Sequence, residues 1–185
     1  MNEDTFKMVS TGLFTSLLIY CIQVFGNVWG VDKYDETNRR YSNFSKEDCR
    51  RLQVLQNKML KLRTGLSHDY PTKELMEITG ELSVHQLVAY HTLLQVNKTL
   101  ISKKPSYIYK KLHLRTPGEN SIFPQSQSHT IIINSRLNIS RSSFLYRGAS
   151  LFNQLPLDLR KCKNEVSSKK QAKAWVRAHI AVSYT

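Results

Sequence analysis

The chain has 185 residues, a length that suits one domain or one domain with an appendage and that allows a real hydrophobic core. The chain has 27 lysines and arginines against 14 aspartates and glutamates, which gives a net charge of +13. This charge favours a polyanionic partner, and nucleic acid more than a membrane surface. A basic protein without such a partner would have the same net charge. The cysteines Cys21, Cys49 and Cys162 are far apart and form no C-x-x-C pair, so they argue against a disulfide framework and a cysteine zinc site.

The first apolar segment, residues 12–31, is the one place where a membrane could enter. Its uninterrupted apolar run, residues 17–22, is short, and polar residues interrupt the rest, so the segment is too weak for a spanning helix. A signal peptide would need positive charge before this run, but acidic residues outweigh lysine there. We therefore expect a buried core helix, with a membrane anchor as the alternative.

Residues 32–43 are polar and aperiodic, which predicts a loop, and a helix is expected over residues 46–63. Its apolar residues recur at intervals of three and four, so they should form one buried face (Leu52, Leu55, Met59 and Leu62). Most of its cations fall on the opposite side, which could bind phosphates or could simply be solvated (Arg50, Arg51, Lys58 and Lys61 among them).

Two further helices are predicted in the next forty or so residues. Pro71 and Gly80 bracket a short one over residues 72–78. Ser83 and Gln86 have the spacing of a capping box, which predicts the start of a longer helix that ends near residue 102. The two histidines on this longer helix are six residues apart, so they do not share a face for metal binding.

Residues 111–128 contain proline, glycine, serine and glutamine, which predicts a loop or linker. Residues 129–133 are β-branched and predict a strand, which could pair with residues 143–146. On such a strand the rings of Phe144 and Tyr146 would share one face, either as core or as contacts to a ligand. Gly148 then predicts a turn before a short helix over residues 149–155.

Residues 157–165 are expected to be a charged connector to a last helix over residues 168–182, with Ser168 as its cap. That helix has an apolar stripe (Ala172, Trp175, Val176, His179 and Ile180) opposite a basic one. Residues 136–177 contain ten lysines and arginines against two acids, and such clustering indicates a nucleic-acid partner more strongly than total charge does.

The run YRGASLFNQLP at residues 146–156 resembles the "yRGxxlWNsLP" signature near the C-terminus of non-LTR (LINE-type) retrotransposon reverse transcriptases, with Phe152 where the family usually has tryptophan. Four more segments resemble patterns of the same family in the same order, so that the resemblance covers nearly the whole chain (residues 18–26, 51–65, 72–84 and 105–108). The order and spacing of the segments is the specific part, since each segment alone would be weak.

The resemblance implies a mainly α fold, a helical thumb-like domain over residues 1–112, a linker over residues 113–128 and a basic α+β tail over residues 129–185. In the family, the paired aspartates that hold two metal ions lie in a palm before the matched region, and none of the six aspartates here has another beside it. We therefore expect a non-catalytic piece of an RNA-directed DNA polymerase, with no catalytic residue, metal or cofactor of its own, in the nucleus or cytoplasm.

The expected partners are RNA, DNA or an RNA–DNA hybrid, held through phosphates, together with the palm and fingers of the parent polymerase rather than a membrane. The candidate contacts are cations on the predicted basic faces and two aromatic rings that could stack on bases (Arg50, Arg51, Lys58, Lys61, Arg141, Phe144, Tyr146, Arg147, Lys169, Lys170 and Lys173). The alternative is a domesticated helical module whose basic faces bind an acidic protein.

Overall fold

The structure is a computed structural model that describes residue 5 and residues 8–25, 46–115, 129–132, 143–161 and 165–180. These residues are mainly helical, which confirms the expected fold class. After a π-helical segment (Ser10–Thr15), the helices are α1 (Ser16–Phe25), α2 (Lys46–Thr64), α3 (Thr72–Thr79), α4 (Val84–Ser102), α5 (Ser106–Tyr109), α6 (Phe144–Gln154), α7 (Leu157–Lys161) and α8 (Glu165–His179). The short strands β1 (His113–Arg115) and β2 (Thr130–Ile132) pair in antiparallel fashion.

Helix α4 is the central helix of the described structure, and it begins where the sequence predicts. The Ser83 hydroxyl accepts a hydrogen bond from the Gln86 amide at 3.3 Å, and the Gln86 side chain accepts one from the Ser83 amide at 3.2 Å. This capping box satisfies two backbone donors that a helix start leaves without intrahelical partners. Helices α1, α2, α6 and α8 all pack against α4, so most of its surface is buried.

The two halves of α4 lie in two hydrophobic clusters. The first half packs with Leu18 of α1 and with Leu82. The second half contributes Leu93 and Val96 to a larger cluster that continues into the strands, α6 and α8 (Leu112, Ile131, Ala149, Leu151, Phe152, Leu155, Trp175, Val176 and Ile180). The boundary expected at residue 112 therefore does not separate two cores, since residues from both sides of it are buried together.

The expected linker over residues 113–128 is wrong at its start, because His113–Arg115 forms strand β1. Residues 116–128 lie outside the described part of the chain. The strand expected at residues 129–133 is confirmed as Thr130–Ile132, but its partner is β1 and not residues 143–146. Residues 113–115 and 130–132 thus form a strand pair on the main core.

The N-terminal apolar segment is buried on one face only. Leu18 is buried, and Phe14 packs beside it, whereas the side chains of Leu17 and Tyr20 are 63% and 62% exposed. The expected core helix is therefore found over Ser16–Phe25, with Leu17 and Tyr20 uncovered, while residues 26–31 of the predicted segment lie outside the described residues. None of the described helices has the length and apolar character needed to cross a membrane.

Helix α2 buries a different face from the one predicted. Leu55 and Leu62 are 50% and 72% exposed, while Cys49, Gln56 and Leu60 are buried. The buried direction is rotated by about 100° from the predicted stripe. The reason is polar: the Gln56 amide donates to the Leu82 carbonyl at 2.8 Å, and the Gln53 carbonyl accepts from the Val84 amide at 2.8 Å.

The segment at residues 143–161 is helical rather than a strand and a turn. Ser143 caps α6, because its hydroxyl accepts from the Tyr146 amide at 3.4 Å, and α6 continues through Gly148. Residues 144–146 are the first turn of α6, and the strand that pairs with β2 is β1. The expected connector contains α7, and α8 begins at Glu165, three residues before the expected cap Ser168, which is buried inside the helix.

Candidate nucleic-acid interface

The basic stripe of the last helix is exposed as predicted. Lys169, Lys170 and Lys173 are exposed on α8, while Ala172 and Val176 face the core. The predicted stripe residue His179 is an exception because it is exposed, but its ring stacks on Trp175 with centroids 5.0 Å apart. The apolar face of α8 therefore anchors the helix and leaves its lysines exposed, which is the arrangement that phosphate binding requires.

Helices α4 and α8 lie side by side and antiparallel. The Gln86 amide near the start of α4 donates to the Ile180 carbonyl at 3.1 Å, just beyond the end of α8. At the other end, the Asn97 amide donates to the hydroxyl of Ser168 near the start of α8. These two hydrogen bonds fix the register, and they place Lys98 of α4 close to Lys169 of α8.

A cleft lies between the two helices beside this Asn97–Ser168 hydrogen bond. Its volume is about 220 Å³, and we call it the α4–α8 cleft (lined by His91, Leu94, Gln95, Asn97, Lys98, Ile101, Ser168 and Lys169). Two of its lining residues are cationic, and none is acidic. An anion that entered the cleft would therefore meet positive charge from both helices.

Cations outnumber acids in the sequence around the cleft, although Glu165 lies four residues before Lys169 on α8. Between Glu81 and Asp158 there are nine lysines and arginines and one acid, Glu119, which lies outside the described residues. Lys169 also acts across the two helices on Tyr90 of α4. Burial raises the pKa of Tyr90, and the positive charge of Lys169 opposes that shift. The second half of α4 and the residues that follow it are therefore richer in positive than in negative charge.

Sequence reasoning missed several cations in this region. Lys98 lines the cleft, and Lys103 and Lys104 follow the end of α4. All three side chains are exposed. The signal that could have found them is the absence of acids between Glu81 and Glu119. The pattern matched at residues 105–108 contains no lysine or arginine, so the prediction rested on the helical stripes of α2 and α8 instead.

The cations of α2 form a separate group. Arg50, Arg51 and Lys58 are exposed, as predicted. Glu47 accepts hydrogen bonds from Arg50 at 3.1 Å and from Arg51 at 3.4 Å, and these contacts lower the pKa of Glu47. One carboxylate thus offsets part of the charge of two guanidinium groups. Lys61 is half-buried, and its ammonium donates to the carbonyl of His68 in the loop after α2, so this candidate has a structural contact.

The candidates of the 141–147 segment do not form an exposed basic strand. Arg141 lies outside the described residues. The ring of Phe144 packs against the main core, and Tyr146 and Arg147 are half-buried on α6. The proposed pairing of two rings on one strand face is therefore wrong, because residues 144–146 are the first turn of a helix, where positions two apart point in different directions.

The motif-bearing helix α6 has a structural explanation for its glycine. A methyl group at Gly148 would lie 2.6 Å from Cγ2 of the buried Val96, whereas ordinary contacts at such a position are 3.4–4 Å. Glycine therefore lets α6 approach α4 closely. Phe152 and Leu155 of the same motif are buried in the main core. These residues of the signature thus serve packing.

Asn153 of the motif joins α6 to strand β2. Its side-chain amide donates to the Ile131 carbonyl at 2.9 Å, and its side-chain carbonyl accepts from the Ile131 amide at 2.8 Å. The side chain thus bonds both polar backbone groups of one strand residue, as a neighbouring strand would. Arg160 of α7 then donates to the Leu155 carbonyl at 2.8 Å, which satisfies an acceptor near the end of α6.

Comparison with family models, with curated proteins and with solved structures finds no match to this chain. The candidate interface therefore depends on its own geometry. Its best-supported part is the α4–α8 cleft and the lysines beside it, and its second part is the exposed side of α2.

Proposed function

We propose that this chain binds nucleic acid through the phosphate backbone, as a non-catalytic C-terminal portion of a non-LTR retrotransposon reverse transcriptase. The observation that carries the proposal is the group of lysines at the α4–α8 cleft. Lys98 and Lys169 line it from two helices that hydrogen bonds hold in register, and no acidic residue lines it. Lys170 and Lys173 extend the positive charge along α8.

Contacts of this kind set affinity and orientation rather than sequence preference. Binding should also weaken with salt, because each phosphate contact releases a counterion from the nucleic acid. The family resemblance supplies the identity of the polymer in this proposal: a template–primer duplex or an RNA. Gly148, Phe152 and Leu155 of the matched motif pack α6 against α4 and the main core, which also contains Val176 of α8.

The test is a fluorescence-anisotropy titration of the whole chain with labelled RNA duplex, DNA duplex and RNA–DNA hybrid at several salt concentrations. The informative variant is Lys98→Gln/Lys169→Gln. Its matched control is Lys73→Gln/Lys161→Gln, which removes the same charge from exposed lysines of α3 and α7 that neither line the cleft nor belong to the candidate contacts. We expect the cleft variant to reduce the slope of log affinity against log salt by about two, and the control to reduce it less.

The proposal fails if the folded wild-type chain binds none of the three nucleic acids at low salt. The assignment to the α4–α8 cleft fails if the two double variants lose the same affinity, because the loss would then reflect net charge alone. Circular dichroism of each variant establishes that the helices are intact before the titrations are compared.

A second candidate function is supported by the exposed side of α2. Leu55 and Leu62 lie uncovered there among Arg51 and Lys58. A surface that mixes cations with exposed leucines suits an acidic amphipathic helix of a partner protein. Binding of an acidic amphipathic peptide that Leu62→Ser abolishes, together with unchanged nucleic-acid binding by that variant, would support this second function.

A further inference from the structure

The α4–α8 cleft has a shape and lining that phosphate binding alone does not require. Lysines on an open helical face are sufficient to bind a phosphate backbone. Here a recess of about 220 Å³ lies between Lys98 and Lys169, with apolar surface from Leu94 and Ile101 inside it. This recess is smaller than the roughly 300–1,000 Å³ of sites that take drug-sized molecules. It suits one planar ring system rather than a whole nucleotide.

The remaining side chains of the cleft match the chemistry of a nucleobase. Gln95 carries an exposed amide, which both donates and accepts hydrogen bonds as base edges do, and Asn97 carries a second amide that already donates to Ser168. The His91 ring is the aromatic member of the lining, and Tyr90 holds it in an edge-to-face contact with centroids 5.3 Å apart. Burial lowers the pKa of His91, so the ring is neutral near pH 7 and can stack on a base.

We propose that the α4–α8 cleft receives the base of an unpaired nucleotide while Lys98 and Lys169 contact the flanking phosphates. Bases inside a duplex are stacked on their neighbours and cannot enter such a recess, whereas an unpaired nucleotide can turn its base outward. The chain should therefore prefer nucleic acid that contains an unpaired nucleotide over the same duplex without one. This inference rests on the proposed function, because the phosphate contacts are those proposed above.

The experiment compares two labelled RNA probes: a blunt duplex, and the same duplex with a single bulged adenosine at its centre. Stacking of one base contributes enough affinity that the wild-type chain should bind the bulged probe at least about fivefold more tightly. Ile101→Glu places a carboxylate in the cleft, and we expect this variant to bind the two probes equally. Ile101 is 44% exposed, so the change should leave the fold intact.

The matched control is Ile78→Glu on α3, where the side chain is 62% exposed and does not line the cleft. This control introduces the same charge, so it should weaken both probes alike and keep the preference for the bulge. His91→Ala is the second variant; it removes the stacking ring and should also abolish the preference.

Equal binding of both probes by the wild-type chain would overturn the inference and leave the proposed function standing. The same preference in Ile101→Glu as in Ile78→Glu would also overturn it, since the base would then bind elsewhere. Failure of the folded wild-type chain to bind either probe would instead refute the proposed function itself.

Discussion

Replacing Gly148 by alanine tests the packing that brings the motif helix onto α4. The added methyl carbon would lie 2.6 Å from Cγ2 of Val96, with Cγ2 of Thr92 at 3.7 Å and Cε2 of Phe144 at 3.8 Å. Val96 is fully buried and its side chain is short and branched, so it cannot swing aside. The two helices would have to separate by close to an ångström.

Two opposing terms set the size of the effect. Overpacking in a close-packed core costs about 1–3 kcal/mol. Alanine is better than glycine inside a helix by about 1 kcal/mol, which offsets part of that cost. We expect the free energy of unfolding to fall by about 1 kcal/mol, and the melting temperature to fall by about 2–4 °C for a chain of this size.

Thermal unfolding followed by circular dichroism measures this change, with Gly12→Ala as the control. Among the described residues, no atom beyond the neighbouring backbone lies within 4 Å of a methyl group at Gly12, so alanine there should leave the melting temperature unchanged or raise it slightly. The double variant Gly148→Ala/Val96→Ala should be less destabilised than the sum of its single changes, because the second change makes room for the first. If Gly148→Ala raises the melting temperature as much as Gly12→Ala does, the close approach of the helices is refuted.

Two further predictions concern a backbone contact and pH. Asn153→Leu should lower the free energy of unfolding by about 1–3 kcal/mol, because the buried amide and carbonyl of Ile131 lose their side-chain partner. Chemical denaturation measures this loss in the free energy of unfolding. The control is Gln154→Leu, at the exposed neighbouring residue, and it should change that free energy little. Equal losses in both variants would contradict the assigned contact. Stability should also fall as pH drops below about 6.5, because burial lowers the pKa of the α4 histidines (His85 and His91), so the unfolded chain binds more protons there. Replacing both histidines by glutamine should make the melting temperature nearly independent of pH between pH 7.5 and 5.5. The control His68→Gln, at an exposed histidine, should keep the pH dependence. If the variant without the two α4 histidines keeps it as well, the acid sensitivity belongs to other groups.

Local signals in the sequence predicted the helices well, since each signal concerns neighbouring residues. The capping box of Ser83 and Gln86, and the Pro71 and Gly80 limits of α3, appear in the structure as predicted. The stripe of α8 was also correct except at the exposed His179, because Trp175, Val176 and Ile180 pack in a single large cluster. Where one apolar face meets one core, helical spacing is sufficient.

The predictions failed where distant residues decide the outcome. The leucines of α2 have regular spacing, but hydrogen bonds from Gln53 and Gln56 to the segment before α4 determine which face is buried. Residues 144–146 have the composition of a strand and were expected to pair with the strand that is now β2. The strand that pairs with β2 is instead β1, which lies at the start of the segment predicted as a linker. The cleft could not be predicted either, since Lys98 and Lys169 come together only when α4 and α8 are placed in register.

Because α4 lies at the centre of both clusters, the order of synthesis matters for this chain. The ribosome releases α4 well before the segments that cover its second half, so Leu93 and Val96 stay exposed to water until α6 and α8 have been translated. During that interval the nascent chain exposes an apolar helical surface that chaperones and neighbouring polypeptides can bind. A message truncated after residue 112 would make this interval permanent, and we expect its product to aggregate or be degraded.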